Sequence, residues 1–185
     1  GKHMVVAAGW MSDKRFVVVK ENGEVIRFHG ETYSEVDRYS FDIWILGASI
    51  HPRERKLALA TADAKLLILD FNLPDTPKLS EVPQVKPMRQ SALDYSDDGK
   101  WLVAADNENN DLSICLLESE SMKEVSRVAS THEHPFKQIS FNTNGQRAVA
   151  CGWDGRVSLI EWGAAKKATC RELTRLPTAV LTAVF

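Results

Sequence analysis

Two groups of residues in this sequence have types and spacing that could support metal chemistry. His132 and His134 flank Glu133, an arrangement that can hold a metal in a loop. No third and fourth ligand lies nearby in the sequence, so we interpret this segment as a hydrogen-bonded loop. The acidic run 106–111 is rich enough in oxygen for calcium, but Asp111 and Leu117 stand where an EF-hand requires Gly and Glu. We therefore predict no metal and no cofactor, and interpret the run as a solvated turn.

The motifs of the common enzyme classes are absent from the sequence. There is no G-x-S-x-G, P-loop, H-E-x-x-H or G-x-G-x-x-G pattern. Cys115, Cys151 and Cys170 form neither a CxxC pair nor a Cys/His cluster, and an odd number of cysteines is typical of a reducing compartment. We predict that the protein is not an enzyme and that it works inside the cell, in the cytoplasm, the nucleus or both.

Length and composition indicate one ordinary folded domain. The chain has 185 residues, 44% of them hydrophobic, and no apolar run is long enough to cross a membrane. Lys and Arg total 23 against 25 Asp and Glu, and this balance argues against nucleic-acid binding. We interpret residues 1–3 as a cloning remnant and Met4 as the native start.

The elements that position any site repeat along the chain. Three segments share an order of apolar strand, polar turn, apolar strand, Asp-containing turn and apolar strand. Two sets of markers give one period in the forties. The first strands end at intervals of 44, 46 and 44 residues, at His51, Tyr95, Phe141 and Phe185. The turn aspartates are 50, 48 and 43 residues apart, at Asp13, Asp63, Asp111 and Asp154. This pattern predicts an all-β fold.

A period of this length with several strands per unit is typical of β-propeller blades. The sequence resembles the WD-repeat family. In that family the third strand ends in Trp-Asp, and these two residues follow a turn Asp by six and seven positions. Leu69-Asp70, Leu117-Glu118 and Ile160-Glu161 keep the apolar-acidic pair, but the Trp is absent. His132 or His134 is the candidate for the family's Gly-His histidine. The resemblance implies about four divergent WD-type blades over 4–185, with repeat units at about 4–40, 41–87, 88–133 and 134–174.

The two ends of the chain suggest how the ring could close. The first repeat is read as beginning at its second strand, Val5–Trp10, and as ending with an outermost strand at 24–28. Residues 178–185 have the pattern of a first strand with nothing after it, so they are predicted to be a closing strand for the first blade. The alternatives are a partial propeller or blades supplied by another chain. An unclosed ring would expose blade edges and is expected to self-associate.

Aromatic and basic residues next to turns are the candidates for partner binding, because interface hot spots favour Trp, Tyr and Arg. Trp10 and Trp153 occur in similar contexts, and Arg15 and Arg156 follow their turn aspartates by two residues. These pairs are predicted to lie on one face and to grip an acidic or extended peptide; the alternative is that each Trp packs under a neighbouring blade. Phe136 is a further docking candidate. We expect Trp44 and Trp162 to be in the core.

The sequence therefore favours a non-enzymatic scaffold that docks other proteins in a multi-subunit complex. One alternative is a non-catalytic subunit of an RNA- or chromatin-processing enzyme, with Arg53–Lys56 or Lys166–Lys167 touching phosphate. Another is a microtubule-associated protein, because 42–48 followed by His51-Pro52 is similar to repeats of echinoderm microtubule-associated proteins.

Overall fold

The fold is built entirely of β-strands in the part of the chain that the structure describes. The computed structural model describes residues 3–72, 76–83, 92–108, 111–163 and 167–185, with only the backbone for 106–108 and 111. These residues form sixteen strands in four antiparallel sheets, each with its strands in chain order. Within these ranges no helix forms, and hence none that could cross a membrane.

Each sheet is one blade of a β-propeller. Blade 1 consists of β1 (Val5–Trp10), β2 (Phe16–Lys20), β3 (Glu24–Phe28) and β4 (Glu35–Ser40). Blade 2 consists of β5 (Ile45–Ile50), β6 (Lys56–Thr61), β7 (Leu66–Asp70) and β8 (Lys78–Glu81). Blade 3 consists of β9 (Leu93–Tyr95), β10 (Trp101–Glu108), β11 (Asp111–Glu118) and β12 (Glu124–Ala129). Blade 4 consists of β13 (Phe136–Phe141), β14 (Arg147–Gly152), β15 (Arg156–Trp162) and β16 (Ala168–Arg175).

The core lies between the blades, because each middle strand is apolar on both sides. In β6, Leu57 and Leu59 pack in the cluster shared with blade 1, whereas Ala58 and Ala60 pack in the cluster shared with blade 3. Successive side chains of a strand point to opposite faces, so an unbroken apolar run fits a sheet that is covered on both sides. A third cluster joins blades 3 and 4.

The first strands of the blades pack side by side around a central cavity. Contacts run from β1 to β5, from β5 to β9 and from β9 to β13. These four strands line a cavity of about 380 Å³. Among the described residues, no buried apolar cluster joins blade 4 to blade 1, and the ring of sheets is not closed.

Blade 1 corrects the predicted register of the first repeat. Val5–Trp10 is its first strand rather than its second, and Glu24–Phe28 is its third rather than its outermost. The second-to-third turn therefore contains Asn22-Gly23, and Asp13 lies in the first-to-second turn. Asn serves in such turns as Asp does, and Gly23 supplies the positive φ of 83°. Asp13 was matched to the aspartates of the other repeats and therefore predicted in the second-to-third turn, where Asn22 stands instead.

The prediction that 178–185 is a closing strand for blade 1 is also wrong. Residues 176–185 have no strand assignment, and blade 1 already has four strands of its own. This end of the chain stays beside blade 4, where the Val180 amide donates to the Gly152 carbonyl and the Ala183 amide donates to Gln138 Oε1. Blade 1 has no vacant position for a strand from this end.

Candidate protein-docking site

The candidate residues Trp10 and Trp153 lie at opposite ends of their sheets. In a four-stranded meander, the second-to-third turn and the loops between blades lie at one end, which we call the upper end. The first-to-second and third-to-fourth turns lie at the lower end. Trp153 is at the upper end, where its amide donates to the Pro135 carbonyl before β13. Trp10 is the last residue of β1, at the lower end, beside Gly30. The prediction that both share one face is wrong.

Three tryptophans are about half exposed. Trp10, Trp44 and Trp153 expose 52%, 47% and 46% of their surface. Trp44 contradicts the expectation of a core residue, because it stands in the loop before β5, with its carbonyl bound to Ala62 at the upper end. Trp162 is buried between blades 3 and 4, as expected.

Phe136 is a core residue and not a docking residue. It is the first residue of β13, and it is fully buried in the cluster between blades 3 and 4. Its ring also contacts the His132 ring, with 4.8 Å between the centroids. The prediction of a docking residue is wrong because β13 already includes Phe136 and directs its side chain inward.

Trp153 carries a cation on its ring. Lys137 Nζ lies 3.9 Å from the ring centroid, a cation–π geometry. Lys137 is the second residue of β13 and also lines the central cavity. An exposed aromatic ring and an ammonium group therefore stand together at the upper end of blade 4, beside the cavity.

The two predicted arginines are held by acidic groups of their own blades. The Arg156 guanidinium donates to the Thr131 carbonyl and to Glu133, and its Nε lies 3.2 Å from Glu172. Arg15 lies 3.6 Å from the Asp37 carboxylate. These contacts fix loops within blades 4 and 1. Arg15 and Arg156 are not brought together, because they lie at opposite ends of different sheets.

His132, Asp154 and Ser158 form a buried polar network in blade 4. His132 Nδ1 donates to Asp154 Oδ1 at 2.9 Å, and the Ser158 hydroxyl lies 3.1 Å from His132 Nε2. Burial lowers the pKa of His132, although Asp154 acts against it. His132 is the histidine of this loop that is buried, whereas His134 is exposed. The arrangement ties the loop before β13 to the turn after β14, and it has a structural role.

The side chains of Asp63 and Asp13 accept hydrogen bonds within their own turns. The Thr61 hydroxyl donates to Asp63 at 2.5 Å, and the Arg15 amide donates to Asp13 at 3.2 Å. The side chain of Asp111 lies outside the described part of the chain. Nowhere in that part do three or more His, Cys, Asp or Glu side chains form a group that could hold a metal.

Asp94 is a mostly buried carboxylate in the cavity wall that sequence reasoning missed. Its Oδ2 accepts from the Phe141 amide of blade 4 at 2.9 Å, and its Oδ1 lies 3.5 Å from the Ser49 hydroxyl of blade 2. Ser49 Oγ in turn accepts from the Tyr95 amide. Burial raises the pKa of Asp94 to about 6, despite these hydrogen bonds. A charged residue in the middle of the apolar strand Leu93–Tyr95 was the signal that could have identified it.

Comparison with known proteins supports the fold and no family. No protein-family model matches the chain, and no curated protein matches it. Among solved structures, it is similar to the crystal structure of the Cps50 (Swd1) β-propeller domain of Myceliophteria thermophila, with a TM-score of 0.76 and 11% sequence identity. The match covers 95% of this chain and 60% of that one, so the chain spans well under the full length of that domain. The chain has a β-propeller fold.

Proposed function

We propose that this protein is a non-enzymatic scaffold, a divergent WD-repeat propeller that docks other proteins of a multi-subunit complex in the cytoplasm or nucleus. The upper end of blade 4, with Trp153 and Lys137, is the proposed docking site. The observation that carries this proposal is the half-exposed Trp153 ring with Lys137 Nζ 3.9 Å from its centroid. Trp is among the residues most enriched in interface hot spots, and loop ends on a rigid sheet are where binding residues concentrate.

The chemistry of this site favours an extended peptide with an acidic residue. Lys137 offers an ammonium group to a carboxylate, while the exposed face of Trp153 offers apolar area to a neighbouring side chain. Trp153 is also in a short turn whose Gly155 has a φ of 75°, so its backbone is held in place. A preformed anchor of this kind reduces the entropic cost of binding.

The nucleic-acid alternative is less well supported. Within Arg53–Lys56, the Lys56 ammonium lies 2.5 Å from Glu54 and 3.9 Å from Asp70. The Arg55 side chain donates to Asn72. This segment has acidic neighbours that would compete with phosphate for its cations. Lys166 lies outside the described residues, so nothing supports Lys166–Lys167 as a phosphate site.

A peptide-display library selected on the whole chain tests the proposal. Selected peptides should bind in fluorescence anisotropy, and Trp153→Ala should weaken them by tenfold or more, since losing a hot-spot residue costs about 2 kcal/mol. Trp10→Ala is the matched control: Trp10 is equally exposed but lies at the lower end, so binding should be unchanged. Equal affinity for both variants, or selection of no peptide, would refute this docking site.

A further inference from the structure

Three polar residues form a belt part-way down the wall of the central cavity. Ser49, Asp94 and Ser140 stand at the same level of β5, β9 and β13, because each pairs with the third residue of the second strand in its blade. All three line the cavity, and we call them the polar belt. The polar belt offers two hydroxyl groups and one carboxylate to an occupant of the cavity.

Asp94 carries the negative charge of the polar belt, and no cation of the described residues pairs with it. It accepts hydrogen bonds from the Phe141 amide and the Ser49 hydroxyl, which are both uncharged. Burial, and to a smaller extent the Asp97 carboxylate, raises its pKa to about 6, and the groups that lower this pKa most are neutral donors. A carboxylate has about four acceptor sites, so a cation in the cavity can still pair with it.

The other charged residue of the cavity wall lies nearer the upper end. Lys137 is three residues before Ser140 in β13, so about 10 Å of strand separates it from the polar belt. Its Nζ lies 3.9 Å from the Trp153 ring centroid, and not beside Asp94. The residues that β5 and β1 contribute to the wall are uncharged. The cavity therefore has a cation at its upper mouth and a carboxylate about 10 Å deeper.

The depth of the polar belt suits a long basic side chain. A peptide docked on Trp153 and Lys137 would lie at the upper mouth, above the belt. Lysine and arginine carry their charge at the end of a long apolar stem, and this stem would contact Leu46 and Ala48, which line the wall above Ser49. An ammonium group has three N–H donors and a guanidinium group has five, and the three residues of the belt supply oxygen acceptors for them.

We propose that the peptide bound at the Trp153 docking site inserts a lysine or arginine side chain into the central cavity, where its cation pairs with Asp94 and hydrogen-bonds to Ser49 and Ser140. This inference rests on the proposed function for the peptide, although the cavity can be tested without it. The acidic residue of the peptide stays at the mouth beside Lys137. Opposite charges at two levels of the cavity fix the orientation of the peptide.

Binding of the basic side chain should depend on the ionisation of Asp94. With a pKa of about 6, this carboxyl is about nine-tenths protonated at pH 5 and almost fully ionised at pH 7.5. Only the ionised form attracts a cation, so affinity should be about tenfold higher at pH 7.5 than at pH 5. By linkage, a bound cation should lower the Asp94 pKa.

Small amino-acid amides test the cavity alone, in the whole protein. The probes are Nα-acetyl-arginine methylamide and Nα-acetyl-lysine methylamide, and Nα-acetyl-citrulline methylamide is the neutral control. Carbon-13 NMR of the Asp94 carboxyl should show its pKa fall by about one unit with a saturating cationic probe, and stay unchanged with citrulline. The two cationic probes show whether the cavity prefers an ammonium or a guanidinium group.

Two variants show whether the charge of Asp94 is responsible. Asp94→Asn keeps acceptors and donors for Phe141 and Ser49, and it should weaken binding of the cationic probes by tenfold or more, as followed by the amide shifts of Ser49 and Ser140. Asp97→Asn is the matched control, because it removes the same charge from an exposed turn that does not line the cavity. It should bind the probes as the wild type does.

Peptides selected from the display library connect the cavity to the docking site. They should contain a basic residue close to an acidic one. Replacing this basic residue with citrulline or norleucine should weaken binding to the wild type by about tenfold or more, and should have little effect on binding to Asp94→Asn. Trp153→Ala should weaken the peptides and leave the effect of the small probes on Asp94 unchanged, so failure of the docking site and failure of this proposal are distinguishable.

Three outcomes would overturn the proposal. The first is an Asp94 pKa that no cationic probe changes, and the second is an equal effect of the citrulline and arginine probes. The third is a set of selected peptides whose affinity does not depend on a basic residue. A fall of the Asp94 pKa with calcium chloride but not with the probes would assign the polar belt to a metal ion instead. If the library yields no peptide, the probes still decide whether the cavity takes a basic side chain.

Discussion

Asp94 should make the stability of the propeller fall as pH rises from 4 to 7. Its pKa is raised from 3.8 to about 6 by burial, so the folded state holds the proton more tightly than the unfolded chain. The stabilising contribution of this carboxyl is therefore fully present below pH 3.8 and is lost as pH rises through about 6. The difference of about 2.2 pKa units corresponds to at most about 3 kcal/mol of unfolding free energy.

Asp94→Asn isolates this effect because asparagine cannot titrate. Its carbonyl oxygen can still accept from the Phe141 amide, and its amide can donate to Ser49 Oγ. Urea unfolding of both proteins between pH 4 and 8 gives the free energies of unfolding. The difference, wild type minus variant, should fall by about 2 to 3 kcal/mol across this range, since all other groups cancel. A constant difference would show that Asp94 titrates normally and that its burial in the cavity wall is not as argued.

Three further predictions concern the turns and the core. Gly155→Ala should lower the free energy of unfolding by more than about 1 kcal/mol, because Gly155 has a φ of 75° and an added Cβ would lie 2.0 Å from a carbonyl oxygen. Ala64 has a φ of 60° at the equivalent turn of blade 2, so Ala64→Gly should instead raise the free energy of unfolding by about 0.5 to 1 kcal/mol. Thermal melts of both variants check this pair. His132→Ala should cost about 1 to 3 kcal/mol because it removes the side-chain donor to the buried Asp154 carboxylate and the partner of the buried Ser158 hydroxyl, whereas the exposed His134→Ala should cost nothing measurable in urea unfolding. Trp162→Ala should cost about 3 to 5 kcal/mol by the same measurement, since it empties the cluster between blades 3 and 4.

The fold class could be read from the sequence because strand pattern and turn spacing are local features. The all-β class and the blade architecture required only the alternation of apolar strands with polar turns. The register of blade 1 could not be read in the same way. Asp13 and Asn22 are equally good turn residues, and only the pairing of β1 with β2 decides which turn each belongs to.

The candidate site was less predictable because exposure depends on contacts between distant segments. Phe136 and Trp44 were placed by their neighbours in sequence, yet one is fully buried and the other is half exposed. What decides the difference is where the inner strand begins. Phe136 is already inside β13 and faces blade 3, whereas Trp44 stands one residue before β5. A shift of a single residue moves a side chain from the core to the surface, and composition contains no information on that shift.

The polar contacts between blades explain how divergent repeats still assemble in one order. Arg27 of blade 1 lies 4.3 Å over the Phe71 ring of blade 2, and His51 of blade 2 lies 3.1 Å from Ser119 of blade 3. Asp94 of blade 3 joins blades 2 and 4. Each contact uses a different chemistry, so each is satisfied by one neighbour only. Exchanging two blades would leave the buried His51 imidazole or the Asp94 carboxylate without its partner on the neighbouring blade, at a cost of about 1 to 3 kcal/mol each. The Arg27 guanidinium would lose the Phe71 ring but keep its pairing with Asp37 of its own blade. Apolar blade faces alone are too similar to make that distinction.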